Sequence, residues 1–93
     1  WSANAEMGQG SIQAIEQAGR VGEIAVFDFD ASDDDVLTIK EGTRVGSVAQ
    51  YPALQARAAI KACLDVLAGK KLPAHTVTKA ELITKDNVEA FSN

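Results

Sequence analysis

Ile24-Ala25-Val26-Phe27-Asp28-Phe29-Asp30 is a short apolar run that ends in carboxylates. Continuous rather than alternating apolar residues mark a strand buried on both faces, as in a parallel sheet. In open α/β sheets, ligands sit just beyond the carboxyl ends of such strands. Asp30 stands where this strand runs out. It is therefore the first candidate for contact with a ligand.

Upstream of that run, Trp1 to Ala3 reads as the tail of a strand and Asn4 as the N-cap of a helix over about 5–18. Glu6 falls in the first turn, where the helix dipole favours negative charge. Met7, Ile12, Ile15 and Ala18 recur near helical spacing, and Gly19 is a stop signal. Gly8 and Gly10 each weaken such a helix by roughly 1 kcal/mol, which predicts close packing on a sheet in return.

Downstream, Ala31-Ser32-Asp33-Asp34-Asp35 places three acids in a row. A hard-cation loop needs oxygen ligands from more positions than these. The pattern reads better as a helix start, with Ser32 the cap, Asp35 closing a capping box, and all three acids on the positive helix end. Val36, Leu37 and Ile39 carry this helix to Gly42. Thr43 to Gln50 is the next strand, with Val45 and Val48 as its branched apolar members. Pro52 opens a helix to about Ala68, its apolar side formed by Leu54, Ala58, Ala59, Ile60, Ala62, Cys63, Val66 and Leu67. Cys63 is expected as a small core residue on that helix. Thr76 to Thr84 reads as a last strand, Lys85 to Asn87 as a turn, and Val88 to Phe91 as a short helical tail; His75 falls in a surface loop.

The 93 residues suffice for one small domain. Such a chain buries only ~60–65% of its unfolded surface, so its stability margin is thin. A hydrophobic content of 46% and a charged content of 24% are ordinary for a globular chain. The net charge of −4 argues against a nucleic-acid partner, because no basic patch is present to neutralise phosphates. A lone cysteine gives neither an internal disulfide nor a Cys-based metal site. The opening Trp1-Ser2-Ala3-Asn4 has no basic n-region and no initiator Met, and reads as a cut inside a longer chain.

Strands alternating with helices predict an α/β fold with a parallel sheet and right-handed crossovers, in the order β-α-β-α-β-α-β. Three strand ends then point the same way, and they carry Asn4, Asp30 and Gln50. One carboxylate and two carboxamides suit a neutral polyhydroxy ligand, since the acid accepts from hydroxyls and the amides both donate and accept. The set suits acid–base or nucleophilic work poorly, so no enzyme, cofactor or metal is expected.

Five stretches in order carry a family resemblance: Ser-Ala-Asn4-Ala-Glu-Met7-Gly, Ile-Ala-Val-Phe-Asp-Phe29-Asp30, Ile39-Lys-Glu-Gly42, Ser-Val-Ala-Gln50-Tyr-Pro52 and Leu-Ala-Gly69-Lys. Together they resemble periplasmic sugar-binding proteins of bacterial ABC transporters, of the ribose/galactose-binding type. The resemblance implies that residues 1–93 form a single segment, a Rossmann-like half of a periplasmic-binding-protein lobe. That segment is the later part of the C-terminal lobe, without the N-terminal lobe. It implies that Asn4, Asp30 and Gln50 hydrogen-bond a monosaccharide or polyol, and that the partner is an ABC transporter permease. The implied location is the periplasm, or a lipid-anchored extracytoplasmic site in a Gram-positive source.

The chain departs from the family pattern at three places. Ala5 replaces an acid after Asn4, and Asp28 and Ala31 stand where the family commonly has glycines. Asp28 reads as a turn or surface carboxylate, or as extra charge near the cleft or hinge. Trp1 reads as packing or a frayed end before it reads as a sugar-stacking ring, and Phe29 as core packing turned away from Asp30.

Two other readings compete. The effector-binding domain of a lactose-repressor-type transcription regulator resembles the same fold, but that branch usually carries a proline-containing loop between the positions of Asp30 and Gln50, and this chain has none there. An inactive truncated fragment would expose apolar surface and self-associate.

Overall fold

The computed structural model describes residues 1–91. Its elements run α1 (Ala5–Gln17), β1 (Phe27–Phe29), α2 (Asp33–Glu41), β2 (Gly46–Ala49), α3 (Pro52–Leu67), β3 (Glu81–Thr84) and a 3₁₀ turn, Val88–Ala90.

Local signals explain most boundaries. The Asn4 side chain accepts from the Met7 amide at 2.9 Å and starts α1. Ser32 and Asp35 form the expected capping box at the start of α2. Gly42 ends that helix in the left-handed region, at φ 92°, which glycine enters without steric penalty. Pro52 occupies the first turn of α3, where its missing N–H is not needed.

The three strands form one sheet in the order β1-β2-β3. β1 and β2 are parallel, with Phe27, Asp28 and Phe29 opposite Gly46, Ser47 and Val48. β2 and β3 are antiparallel, with Ala49 opposite Glu81 and Gly46 opposite Thr84. The α/β class stands, but the sheet is mixed and the last strand reverses the expected direction. The expected run from Thr76 shortens to its last four residues. Trp1 to Ala3 makes no strand; one backbone bond, Ser2 N–H to the Phe27 carbonyl at 2.9 Å, is too little for a ladder before Asn4 turns the chain into α1.

The apolar core lies between the sheet, α2 and the 3₁₀ turn. Ala31, Ile39, Ala49, Ile83 and Val88 are its buried members, with Val36, Tyr51 and Phe91 against them. α1 packs near β1 through Gly8, the position where a Cβ would fall 1.9 Å from Asp28 Oδ2. Gly10, in contrast, is exposed and meets nothing within 4 Å, so only one of the two glycines serves close packing.

α3 departs furthest from expectation. It buries none of its residues, and Ile60, Leu64 and Leu67 lie open, the last at 83% exposure. Cys63 is exposed with them rather than in a core. The cause is a missing neighbour: α3 does not fold back on the sheet, so its apolar stripe meets no partner among the described residues. The radius of gyration, 17.0 Å, reflects this extension; a compact chain of this length has about 12 Å. Among the described residues, no helix is long and apolar enough to cross a membrane.

Candidate functional site

β1 ends at Phe29, and the backbone of the next two residues is unusual. Asp30 has φ 104° and Ala31 φ 46°, a region that non-glycine residues enter at a cost of about 1 kcal/mol or more each. Asp tolerates such a conformation better than most residues. Ala31 has no such excuse, and the glycine common in the resembling family would sit there without strain.

The turn delivers the Asp30 carboxylate between two other elements. Its Oδ2 accepts from the Ala5 amide at 3.2 Å, at the start of α1. Its Oδ1 accepts from Gln50 Nε2 at 3.4 Å, beyond the end of β2. The parallel register of β1 and β2 places Asp30 and Gln50 at the same sheet end. Asn4 lies beside them because its neighbour Ala5 holds Asp30; its carboxamide oxygen is committed to capping α1, which uses none of its donor capacity. The structure thus joins Asp30 and Gln50 directly, and Asn4 adjoins them through Ala5, with no hydrogen bond to either among the described residues and no part in the cleft lining. Gln50 is steadied from behind, since Gln55 Nε2 donates to its carbonyl at 2.9 Å.

An open cleft of about 320 Å³ lies against this point, lined by Asp30, Ser32, Gln50, Pro52 and Gln55. Its size falls in the range of small-molecule pockets. Its wall offers a carboxylate acceptor and carboxamides that donate and accept, with no pair of groups set for proton transfer. Another cleft lies at the amino ends of β1 and β2, where Ile12, Ile15, Val21 and Ile24 stand beside Glu16, Glu23 and Thr43, away from Asp30 and Gln50.

Below Asp30 lies a buried polar cluster that the sequence reading missed. Asp28, Asp35, Arg44 and Ser47 are all buried. Arg44 Nε lies 3.0 Å from Asp28 Oδ2, and its Nη1 bonds Asp35 Oδ1 and, at 2.8 Å, Thr38 Oγ1. Asp28 is therefore no surface carboxylate. Its contact with Arg44 is charge against charge without an aligned N–H···O bond, and neither of its oxygens has a hydrogen-bond partner among the described residues. Burial pushes the Asp28 carboxyl above its ordinary range; the Ser47 hydroxyl and the Arg44 charge pull it down, and the Asp35 and Asp30 charges push it up. The available signal was a single acid inside the apolar run 24–29 with a single base just before the next strand. A charge in such a run needs a buried partner.

The aromatic residues pack among themselves. Trp1 meets Phe29 edge to face at 5.0 Å, though the indole remains 76% exposed. Tyr51 donates to Glu81 at 2.7 Å and carries Lys79 Nζ 4.4 Å above its ring.

Residues 1–71 match the family described as periplasmic binding protein domain. The chain belongs to that family. It is 38% identical over 69 residues to the ribose import binding protein of Bacillus subtilis, covering 74% of this chain and 22% of that protein. It is 29% identical over 86 residues to the xylitol-binding protein of Mycolicibacterium smegmatis, covering 92% of this chain and 24% of the relative. The crystal structure of the Caulobacter myo-inositol binding protein, bound to myo-inositol, superposes with a TM-score of 0.82 at 31% identity. That match covers 97% of this chain and 31% of the other. The chain therefore spans about a quarter of the length of these curated relatives. Their names fall on the import and polyol-binding side of the fold, not on the regulator side, and describe binding proteins rather than enzymes.

Proposed function

We propose that this chain is the later part of the C-terminal lobe of a two-lobe solute-binding protein. It supplies one wall of a cleft that captures a sugar or polyol, which an ABC transporter permease then imports. Asn4, Asp30 and Gln50 hydrogen-bond the ligand hydroxyls, and the chain performs no chemistry on it. The protein works in the periplasm, or lipid-anchored outside the membrane in a Gram-positive source.

One observation carries this reading: the Asp30 carboxylate is presented at the sheet end, held at 3.2 Å by α1 and at 3.4 Å by Gln50. A carboxylate so fixed accepts two hydroxyls in a defined geometry. The names of the relatives, which include ribose and xylitol binders, support a neutral polyhydroxy ligand. The open face of α3 agrees with a chain whose remaining lobe covers it, and in isolation that face favours self-association.

The test is Asp30→Ala in the two-lobe protein, titrated with D-ribose, xylitol, myo-inositol and D-allose. Loss of the acceptor leaves ligand hydroxyls unpaired and weakens the bound sugar by roughly 1–3 kcal/mol. Wild-type affinity in the variant sinks the reading.

A further inference from the structure

The turn at Asp30 and Ala31 combines two left-handed residues, neither of them glycine. Such a backbone persists only where its surroundings over-determine it. Here three consecutive amides are held by three separate acceptors. The Asp30 amide donates to the Val48 carbonyl at 2.9 Å. The Ala31 amide donates to Ser47 Oγ at 2.9 Å, in a buried position. The Ser32 amide donates to Asp35 Oδ2 at 2.8 Å. Ser47 Oγ in turn donates to the same Asp35 oxygen at 3.3 Å, and Arg44 holds the other one.

We propose that Ser47 is a positioning residue for Asp30: its hydroxyl locks the Ala31 amide and thereby fixes the angle at which the Asp30 carboxylate meets the ligand. Ser47 is fully buried and does not line the cleft, so it acts through the turn alone. The hydroxyl suits this place because it accepts from the backbone and donates to Asp35 at once, which neither alanine nor a carboxylate does. Asp35 supports it from the α2 cap, and Arg44 anchors Asp35 to the sheet. The inference rests on the proposed role of Asp30 in ligand binding.

The experiment is a double-mutant cycle of Ser47→Ala and Asp30→Ala in the two-lobe protein. It is read by thermal shift with the best binder among D-ribose, xylitol, myo-inositol and D-allose, at concentrations up to about 100 mM, where stabilisation by mass action still registers a weak site. Ser47→Ala alone is expected to weaken binding roughly tenfold, the scale of an orphaned buried amide. In the Asp30→Ala background it is expected to change nothing further, because the group it positions is gone. A merely structural serine lowers melting temperature in both backgrounds and moves affinity equally in both, or in neither; either result overturns the proposal. If Asp30→Ala abolishes binding up to the highest concentration, amide exchange decides. Faster exchange at Ala31 by tenfold or more in Ser47→Ala, with α2 exchange unchanged, supports the proposal, and unchanged exchange at Ala31 overturns it. Should Asp30→Ala bind as tightly as wild type, the functional reading itself fails, an outcome separate from an inert Ser47→Ala beside a crippled Asp30→Ala.

Discussion

Gly8→Ala probes how α1 seats on the sheet. In an exposed helix, alanine improves on glycine by about 1 kcal/mol. At position 8 the added Cβ falls 1.9 Å from Asp28 Oδ2, 2.9 Å from its Cγ and 3.1 Å from Arg44 Nη2. Asp28 and Arg44 are fully buried and held against each other, so neither retreats into solvent. The carboxylate must move more than an ångström, which opens its contact with Arg44, or α1 must lift away from β1. Overpacking of this kind costs typically 1–3 kcal/mol, and disturbing a buried ion pair adds to it. Arg44 keeps Asp35, so the full penalty of a broken pair is not reached. The expected net loss is roughly 2–4 kcal/mol after the helix gain. Urea unfolding of the protein measures it as a lower midpoint with an unchanged slope. Gly10→Ala is the internal control: the same helix and the same chemistry, but nothing within 4 Å. It is expected to stabilise by up to about 1 kcal/mol. If Gly8→Ala matches or exceeds wild type in midpoint, α1 does not rest on Asp28 and the buried cluster is wrongly assembled.

The other predictions concern the same layer. Burial raises the Asp28 carboxyl above its unfolded value of 3.8, so its protonated form favours the fold. That contribution is full below pH 3.8 and is lost as the pH rises through the folded value. Wild type should therefore gain stability relative to Asp28→Asn as acid is added toward pH 3.8, and a difference that stays constant with pH contradicts the assignment. Arg44→Met leaves Asp28 and Asp35 without their cation and should destabilise by roughly 3–5 kcal/mol in denaturant; a loss under about 1 kcal/mol means the cluster is hydrated. Ser32→Ala removes half of the α2 capping box and should lower stability by about 1 kcal/mol, measured by thermal melting, with no change expected only if the cap is redundant.

What could be read in the chain was local or fixed by strand register. Ser32 and Asp35 sit three residues apart, and that spacing alone specifies the capping box. Asp30 and Gln50 follow neighbouring parallel strands, so their meeting follows from the alternation of strands and helices. What could not be read was pairing between distant residues. Nothing near Asp28 in sequence announces Arg44, sixteen residues on, and a carboxylate after Phe27 looks as much like a turn as like a buried ion. The direction of β3 failed for a related reason. The expectation of a parallel strand assumes a helix that packs back on its sheet. α3 buries nothing there, so no crossover forms and the chain comes back the other way. Its apolar stripe was legible; the absence of anything beneath it was not, because an amphipathic helix specifies that it needs a partner and not where that partner lies.

Ala49 pairs with Glu81, so the chain leaves the sheet and re-enters it at adjacent points. The residues between them, α3 included, form an excursion whose two ends are already joined, by the ladder and by the Tyr51 to Glu81 bond. Only its far part is topologically removable. The excursion's opening residues Gln50, Pro52 and Gln55 line the cleft beside Asp30, whereas α3 beyond Gln55 buries nothing and lines no part of that cleft. The cleft wall and the uncovered helix thus share the first turn of α3 and part company after Gln55. The stretch after Gln55 is where evolution or an engineer is free to shorten or exchange the helix without redrawing the cleft wall.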